Sequence, residues 1–212
     1  MTAPRRIIFL CGEAEGDAFR QHVSALAPEV ETQWVASASS LDFATRYNTE
    51  KTRLISFLTD VIVSEDILNR LGPTPYNVHP GSPDYPGAHG LSFAIFEQSP
   101  TFGVTAHEMT ARIDDGPIVL VDRFALPRDA ELISFGNEVY ARAVAVVDMI
   151  IRHAVASDAP LPHQRERWAK RQCTRAKLKA LLTSADYLLE GDRERLVRAC
   201  GPHFEKHQRA RA

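Results

Sequence analysis

Residues 75–90 read Pro75-Tyr76-Asn77-Val78-His79-Pro80-Gly81-Ser82-Pro83-Asp84-Tyr85-Pro86-Gly87-Ala88-His89-Gly90. Pro75–His79 predicts a short strand, and the Pro/Gly-rich remainder predicts a long loop. On its N-terminal side, apolar runs alternate with segments of helical period. The apolar run Ile7–Cys11 predicts a strand ending at Gly12. A helix follows over 17–27, with Asp17 as cap and Phe19, Val23, Leu26 and Ala27 on one face. Then come a strand at 32–36, a helix over 40–50, a strand at 53–58 and a helix at 64–71 closed by Gly72-Pro73. Strands alternating with helices imply a parallel sheet with right-handed crossovers. Beyond the loop, the pattern predicts a short helix at 91–98 and strands at 103–109 and 117–126. The tight segment Asp114-Asp115-Gly116-Pro117 makes those strands antiparallel neighbours. The longest helix is expected over 131–155, burying Leu132, Val139, Ala143, Val146, Val147 and Ile150. The fold class is therefore α/β: an open, mostly parallel Rossmann-like sheet flanked by helices.

Asp158-Ala159-Pro160-Leu161-Pro162 reads as a hinge, dividing the chain into a domain at 1–157 and a helical extension at 158–212. In the extension, helices are expected near 175–183, capped by Thr174, and near 190–199. Residues 163–212 carry 13 Lys/Arg against 6 Asp/Glu, whereas residues 1–162 carry 12 against 21. A basic tail can hold phosphate or an acidic partner face, or form a dimer contact, but a solvated helical surface is the favoured reading and nucleic acid is not expected. With 44% hydrophobic and 25% charged residues among 212, the chain has an ordinary globular composition. Cys11, Cys173 and Cys200 show no C-x-x-C spacing, which fits a reducing cytoplasm and no structural zinc. No apolar stretch reaches the ~18–20 residues of a membrane span.

Two stretches concentrate chemistry. Asn77 and His79, two apart at the carboxyl end of a strand, share one face where ligands of open α/β sheets sit. Thr105 and His107 alternate on a later strand, and the turn after it lifts a carboxylate, Asp114, out of the sheet. If the sheet brings that turn beside His79, an amide and an imidazolium can stabilise an oxyanion while a carboxylate raises the imidazole pKa and takes up a proton. No metal or nucleophilic side chain is needed. Asp115 reads as a turn former, and the i, i+4 pair His203 and His207 lacks a third ligand.

Asn-x-His-Pro, a Gly/Pro loop, Gly103-Val104-Thr105 and Asp114-x-Gly-Pro in that order resemble the folate-dependent formyltransferase family over roughly residues 5–155. The resemblance implies that Asn77 hydrogen-bonds the formyl oxygen, that His79 is the catalytic histidine and that Asp114 pairs with it. It further implies that Phe57, Leu58, Val61 and Ile62, with Asp114, bind the folate, mostly through backbone contacts to its pterin. Tyr85, His89, Thr105 and His107 are the expected acceptor contacts. The loop after His79-Pro80 departs from the family's usual Ser-Leu-Leu-Pro. The acidic segment Cys11–Asp17 lacks a phosphate-binding pattern, and about one βα unit is missing before Asn77. Trp168, Thr174-Arg175 and Leu178 resemble a segment of sugar-nucleotide formyltransferases. The expected activity is thus N-formyl transfer from 10-formyltetrahydrofolate to a small amine, an amino sugar on a nucleotide being favoured. Methionyl-tRNA or glycinamide ribonucleotide formyl transfer and formyltetrahydrofolate hydrolysis are the alternatives within the family. A non-catalytic folate-binding module and metal-assisted hydrolysis at His79, His107 and Asp114 are those outside it.

Overall fold

The computed structural model describes residues 6–47 and 49–209, without the side chains of Glu205, His207 and Gln208. Its elements are β1 (Arg6–Leu10), α1 (Glu13–Leu26), β2 (Glu31–Val35), α2 (Ala38–Ala44), β3 (Thr52–Phe57), α3 (Glu65–Arg70), β4 (Tyr76–His79), α4 (Gly90–Phe96), β5 (Thr101–Glu108), β6 (Ile118–Ala125), α5 (Leu132–Ala156), α6 (Arg175–Thr183), α7 (Glu190–Cys200) and α8 (Pro202–Arg209). One sheet runs in the order β2-β1-β3-β4-β5-β6. β2, β1, β3 and β4 pair parallel and β5 pairs antiparallel with β4. The Glu108 N–H donates to the Pro117 carbonyl, and Gly103 lies against the carbonyl of Asp122. Those two contacts make β5 and β6 antiparallel, as expected from the turn between them. Among the described residues no helix is long and apolar enough to cross a membrane.

By contacts the chain divides into two compact units: residues 1–79, 105–120 and 143–166, and residues 80–104, 121–142 and 167–212. In the first unit, β1 and β3 are buried on both faces, as the unbroken apolar runs require. Ile8, Leu10 and Leu54 join Leu41, Ala44, Ile67 and Leu71 in one cluster. Phe9, Phe19 and Phe57 pack in tilted and edge-on contacts with ring centroids 5.5 and 5.7 Å apart. In the second unit, Tyr85, Phe102, Phe124 and Phe135 form a chain of rings at 6.0–6.3 Å.

Some boundaries differ from expectation for local reasons. α1 begins at Glu13, not near Asp17, because Gly12 takes the N-cap conformation without a side-chain bond. Glu13 and Glu15 then lie in its first turn, where acidic side chains complement the helix dipole. Asp17 is inside the helix, paired with Arg20, and Leu26 faces solvent at 39% exposure. α2 starts two residues before the expected 40 because Ser37 and Ser40 form a capping box. It ends at Ala44, with the Thr45 hydroxyl bonded back to the Leu41 carbonyl. α8 was not expected. Gly201, at φ +46°, ends α7, and Pro202 restarts a helix as its first residue. Thr174 caps α6 as expected, accepting from the Lys177 N–H.

Gly72 is a close approach. A Cβ there would run into the Glu50 backbone. Gly72→Ala is expected to lower the unfolding free energy by at least about 2 kcal/mol, read by chemical denaturation.

Candidate active site

The register of the first unit sets the site. Val35, Leu10, Ser56, Asn77 and His107 are successive partners across β2, β1, β3, β4 and β5. Paired residues share a face of a sheet, so this row turns from apolar to polar as it crosses from β1 to β3. One step along, His79 stands opposite Thr105. Asn77, His79, Thr105 and His107 therefore share a face, as their i, i+2 spacings anticipated.

The turn after β5 supplies the carboxylate. Asp114 adopts φ +47°, a left-handed conformation that Asp tolerates better than most residues. Gly116 makes room for the turn: a Cβ there would meet the Glu108 carbonyl, with the His107 ring 3.3 Å away. Thus seated, Asp114 is buried at 6% exposure. One carboxylate oxygen lies 3.5 Å from His79 Nδ1 and the other 3.7 Å from His107 Nε2. Asp115 faces solvent, 3.6 Å from Arg112.

The two histidines are held differently. His107 is 3% exposed. Its Nδ1–H donates to the Glu108 carbonyl at 2.8 Å, which leaves Nε2 as an acceptor for the Asn77 amide at 3.1 Å. Burial pushes its pKa down to about 4, outweighing the opposite pull of the Glu108 carbonyl and of Asp114. His107 thus stays neutral and fixes the Asn77 amide with its nitrogen toward the ring. One N–H of that amide is committed and the second is available to a ligand. The sequence marked His107 as an acceptor contact. Its hold on Asn77 was not legible there, because the pairing register of β4 with β5 sets it.

Among the described residues, no group of three His, Cys, Asp or Glu side chains has the geometry to hold a metal ion. At the carboxyl end of β3, Leu58 takes φ +46°, strained for a branched side chain. It is 46% exposed, and Ile62 is 64% exposed. Val61 packs on the core beneath, and the Phe57 side chain is fully buried against Phe19. Phe57 therefore has only its backbone to offer a ligand. Tyr85 and His89 belong to the second unit. There the Tyr85 hydroxyl donates to Glu97 at 3.1 Å. The half-buried His89 ring lies 6.1 Å from that of His203, in a recess of about 220 Å³ lined also by Ala88, Leu91, Ser92 and Leu132.

This is the α/β fold of the formyltransferases, and the likeness expected from the motifs holds at the level of fold. A sugar N-formyltransferase from Shewanella sp FDAARGOS_354 superposes with a TM-score of 0.74 at 16% identity, over 92% of this chain and 87% of that one. An N-formyltransferase from Helicobacter canadensis, in complex with folinic acid and dTDP-3-aminofucose, gives 0.65 at 12% identity over 94% and 80%. HypX from Aquifex aeolicus, in complex with tetrahydrofolic acid, gives 0.60 at 15% identity over 95% of this chain and 35% of that one. No protein-family model matches the chain.

A histidine held neutral by burial binds fewer protons folded than unfolded. The contribution of His107 is then fully present above about pH 6.5 and declines as the pH falls toward 4. Equilibrium unfolding followed from pH 8 to 4 is expected to lose up to about 3 kcal/mol through this group. The acid loss should be smaller in His107→Gln.

Proposed function

We propose that the chain is an N-formyltransferase that moves the formyl group of 10-formyltetrahydrofolate to a small amine, with an amino sugar on a nucleotide as the acceptor class. The observation that carries this reading is the meeting of an amide, an imidazole and a buried carboxylate at the carboxyl end of β4: Asn77, His79 and Asp114. The ligands held by the two folate-bearing structural neighbours support it.

The residues suit a formyl group. As the amine nitrogen attacks the formyl carbon, the carbonyl π pair moves onto oxygen. The second N–H of Asn77 and an N–H of His79 donate to that oxyanion, where preorganised donors act most strongly. Asp114 balances the imidazolium charge and takes the proton lost by the amine, directly or through water. The oxyanion pair then re-forms the carbonyl, the bond from the formyl carbon to the folate nitrogen breaks, and that nitrogen receives the proton Asp114 had taken up. The exposed apolar side chains of Leu58 and Ile62 offer a flat ring an apolar wall, with the Phe57 backbone and Val61 beside them. Of the four expected acceptor contacts, His107 is engaged by Asn77, Tyr85 by Glu97, and Thr105 is fully buried. His89, which lines the recess of the second unit, is the remaining proposed acceptor contact. In this reading residues 1–157 carry the chemistry and 158–212 support it.

Calorimetric titration with 5-formyltetrahydrofolate is expected to give saturable one-site binding. A flat titration would remove the proposed activity and leave the fold. Asp114→Asn keeps the shape and tolerates the left-handed backbone, so it should melt like the wild type yet turn over at least about 100-fold more slowly. Undiminished turnover in that variant would take Asp114 out of the mechanism.

A further inference from the structure

The loop that leaves His79 has no helix or strand of its own, yet Gly81, Ser82, Pro83, Tyr85, Pro86 and Gly87 are all buried. Buried backbone needs hydrogen-bond partners, and residues 169–173 of the C-terminal extension provide them. The Ala169 N–H donates to the Pro83 carbonyl at 2.8 Å, and the Cys173 N–H to the Pro86 carbonyl at 2.7 Å. The His89 N–H donates in return to the Cys173 carbonyl at 3.1 Å. Gly87, at φ +101°, permits this approach: a Cβ there would lie 3.0 Å from the Cys173 carbonyl oxygen and 3.1 Å from its nitrogen.

One side chain locks this strap to the loop. Arg171 grips Glu97 with two hydrogen bonds of 3.0 and 2.8 Å, and its guanidinium lies over the rings of Tyr85, at 4.8 Å, and Phe93, at 5.7 Å. Glu97 in turn accepts from the Tyr85 hydroxyl. The bond to Glu97 raises the Arg171 pKa, so the cation persists at any working pH. A planar fork that both pairs and stacks is a role lysine cannot fill.

We propose that Arg171 is a positioning residue for acceptor recognition. Through Glu97 and Tyr85 it fixes loop residues 83–89, which lie next in sequence to the reacting histidine and end at His89. On this proposal the strap acts on acceptor use and leaves folate binding unchanged. This inference rests on the formyl-transfer reading.

Three variants, Arg171→Ala, Arg171→Lys and Glu97→Gln, test it by amide hydrogen exchange of residues 83–89, by calorimetry with 5-formyltetrahydrofolate, and by kinetics. The kinetics use a panel of nucleotide-linked amino sugars that includes dTDP-3-aminofucose, following the amine the wild type uses best. In Arg171→Ala, exchange within 83–89 should speed up at least about tenfold. The Kd for 5-formyltetrahydrofolate should stay within about twofold, while KM for the amine should rise at least about fivefold with kcat nearly constant. Arg171→Lys should recover only part of the loss. Glu97→Gln, which keeps the shape, should reproduce the pattern if Arg171→Ala fails to fold. Unchanged exchange, or weakened folate binding in the variants, would overturn the clamp while the formyl-transfer reading stands. A wild type that binds no folate or formylates no amine in the panel would overturn that reading and, with it, the acceptor role of Arg171.

Discussion

The antiparallel pairing of β4 with β5 is the constraint on which the site depends. It sets Asn77 against His107 and His79 against Thr105. A slip of one residue would turn every side chain of β4 to the other face, leaving Val78 where the amide and imidazole belong. The core prevents that slip: Tyr76 and Val78 are fully buried on the opposite face, and hydrophobic burial is the largest favourable term in folding. The polar face is thus positioned by the apolar one. Arg53 adds a second restraint. It donates to the carbonyls of Thr74 and Ser157 and lies over the Tyr76 ring. The Tyr76 hydroxyl accepts from the Leu161 N–H, so β4 is tied to the segment that follows α5.

The second unit solves a different problem. A loop rich in proline and glycine satisfies only part of its own backbone, as in the Tyr85 N–H to the Ser82 carbonyl, and left exposed it would sample many conformations. Its carbonyls find partners in a segment more than eighty residues later in the chain. Part of the positive charge of the extension is answered internally, as in Arg171 with Glu97 and Arg195 with Asp192. The excess of basic residues in 163–212 is therefore a poor guide to a nucleic-acid or phosphate partner.

Sequence reading recovered the elements with long-range simplicity and missed those that depend on a particular contact. Ile7–Leu10 and Leu54–Phe57 announce buried strands because both their faces are covered. The start of α1 was hidden because Gly12 caps it by backbone conformation alone, and Glu13-Ala14-Glu15 looks like loop. Residue types at the site were visible: an amide and an imidazole two apart, and an acid before Gly-Pro. The pairing of Asp114 with His79 was also anticipated, but the partners of Asn77 and Tyr85 were not. That His107 holds Asn77 follows from register, and that Tyr85 bonds Glu97 under Arg171 follows from a tertiary contact with the extension. Neither leaves a periodic trace in the sequence.

Two imidazoles flank one carboxylate at 3.5 and 3.7 Å, and such symmetry would ordinarily leave the charge poorly assigned. The backbone breaks it. His107 gives its Nδ1–H to Glu108 and turns a lone pair toward Asn77 and Asp114, so it has no proton to offer the carboxylate. Burial makes adding one costly, and the attraction of Asp114 is too weak to reverse this. Asp114 is left to His79. The proposed reaction needs that division, because an amide locked by a neutral ring can serve an oxyanion beside a second ring that carries charge. Were His107 to protonate, it would lose its hold on Asn77 and compete for Asp114 at once, so its neutrality protects both partners of the chemistry.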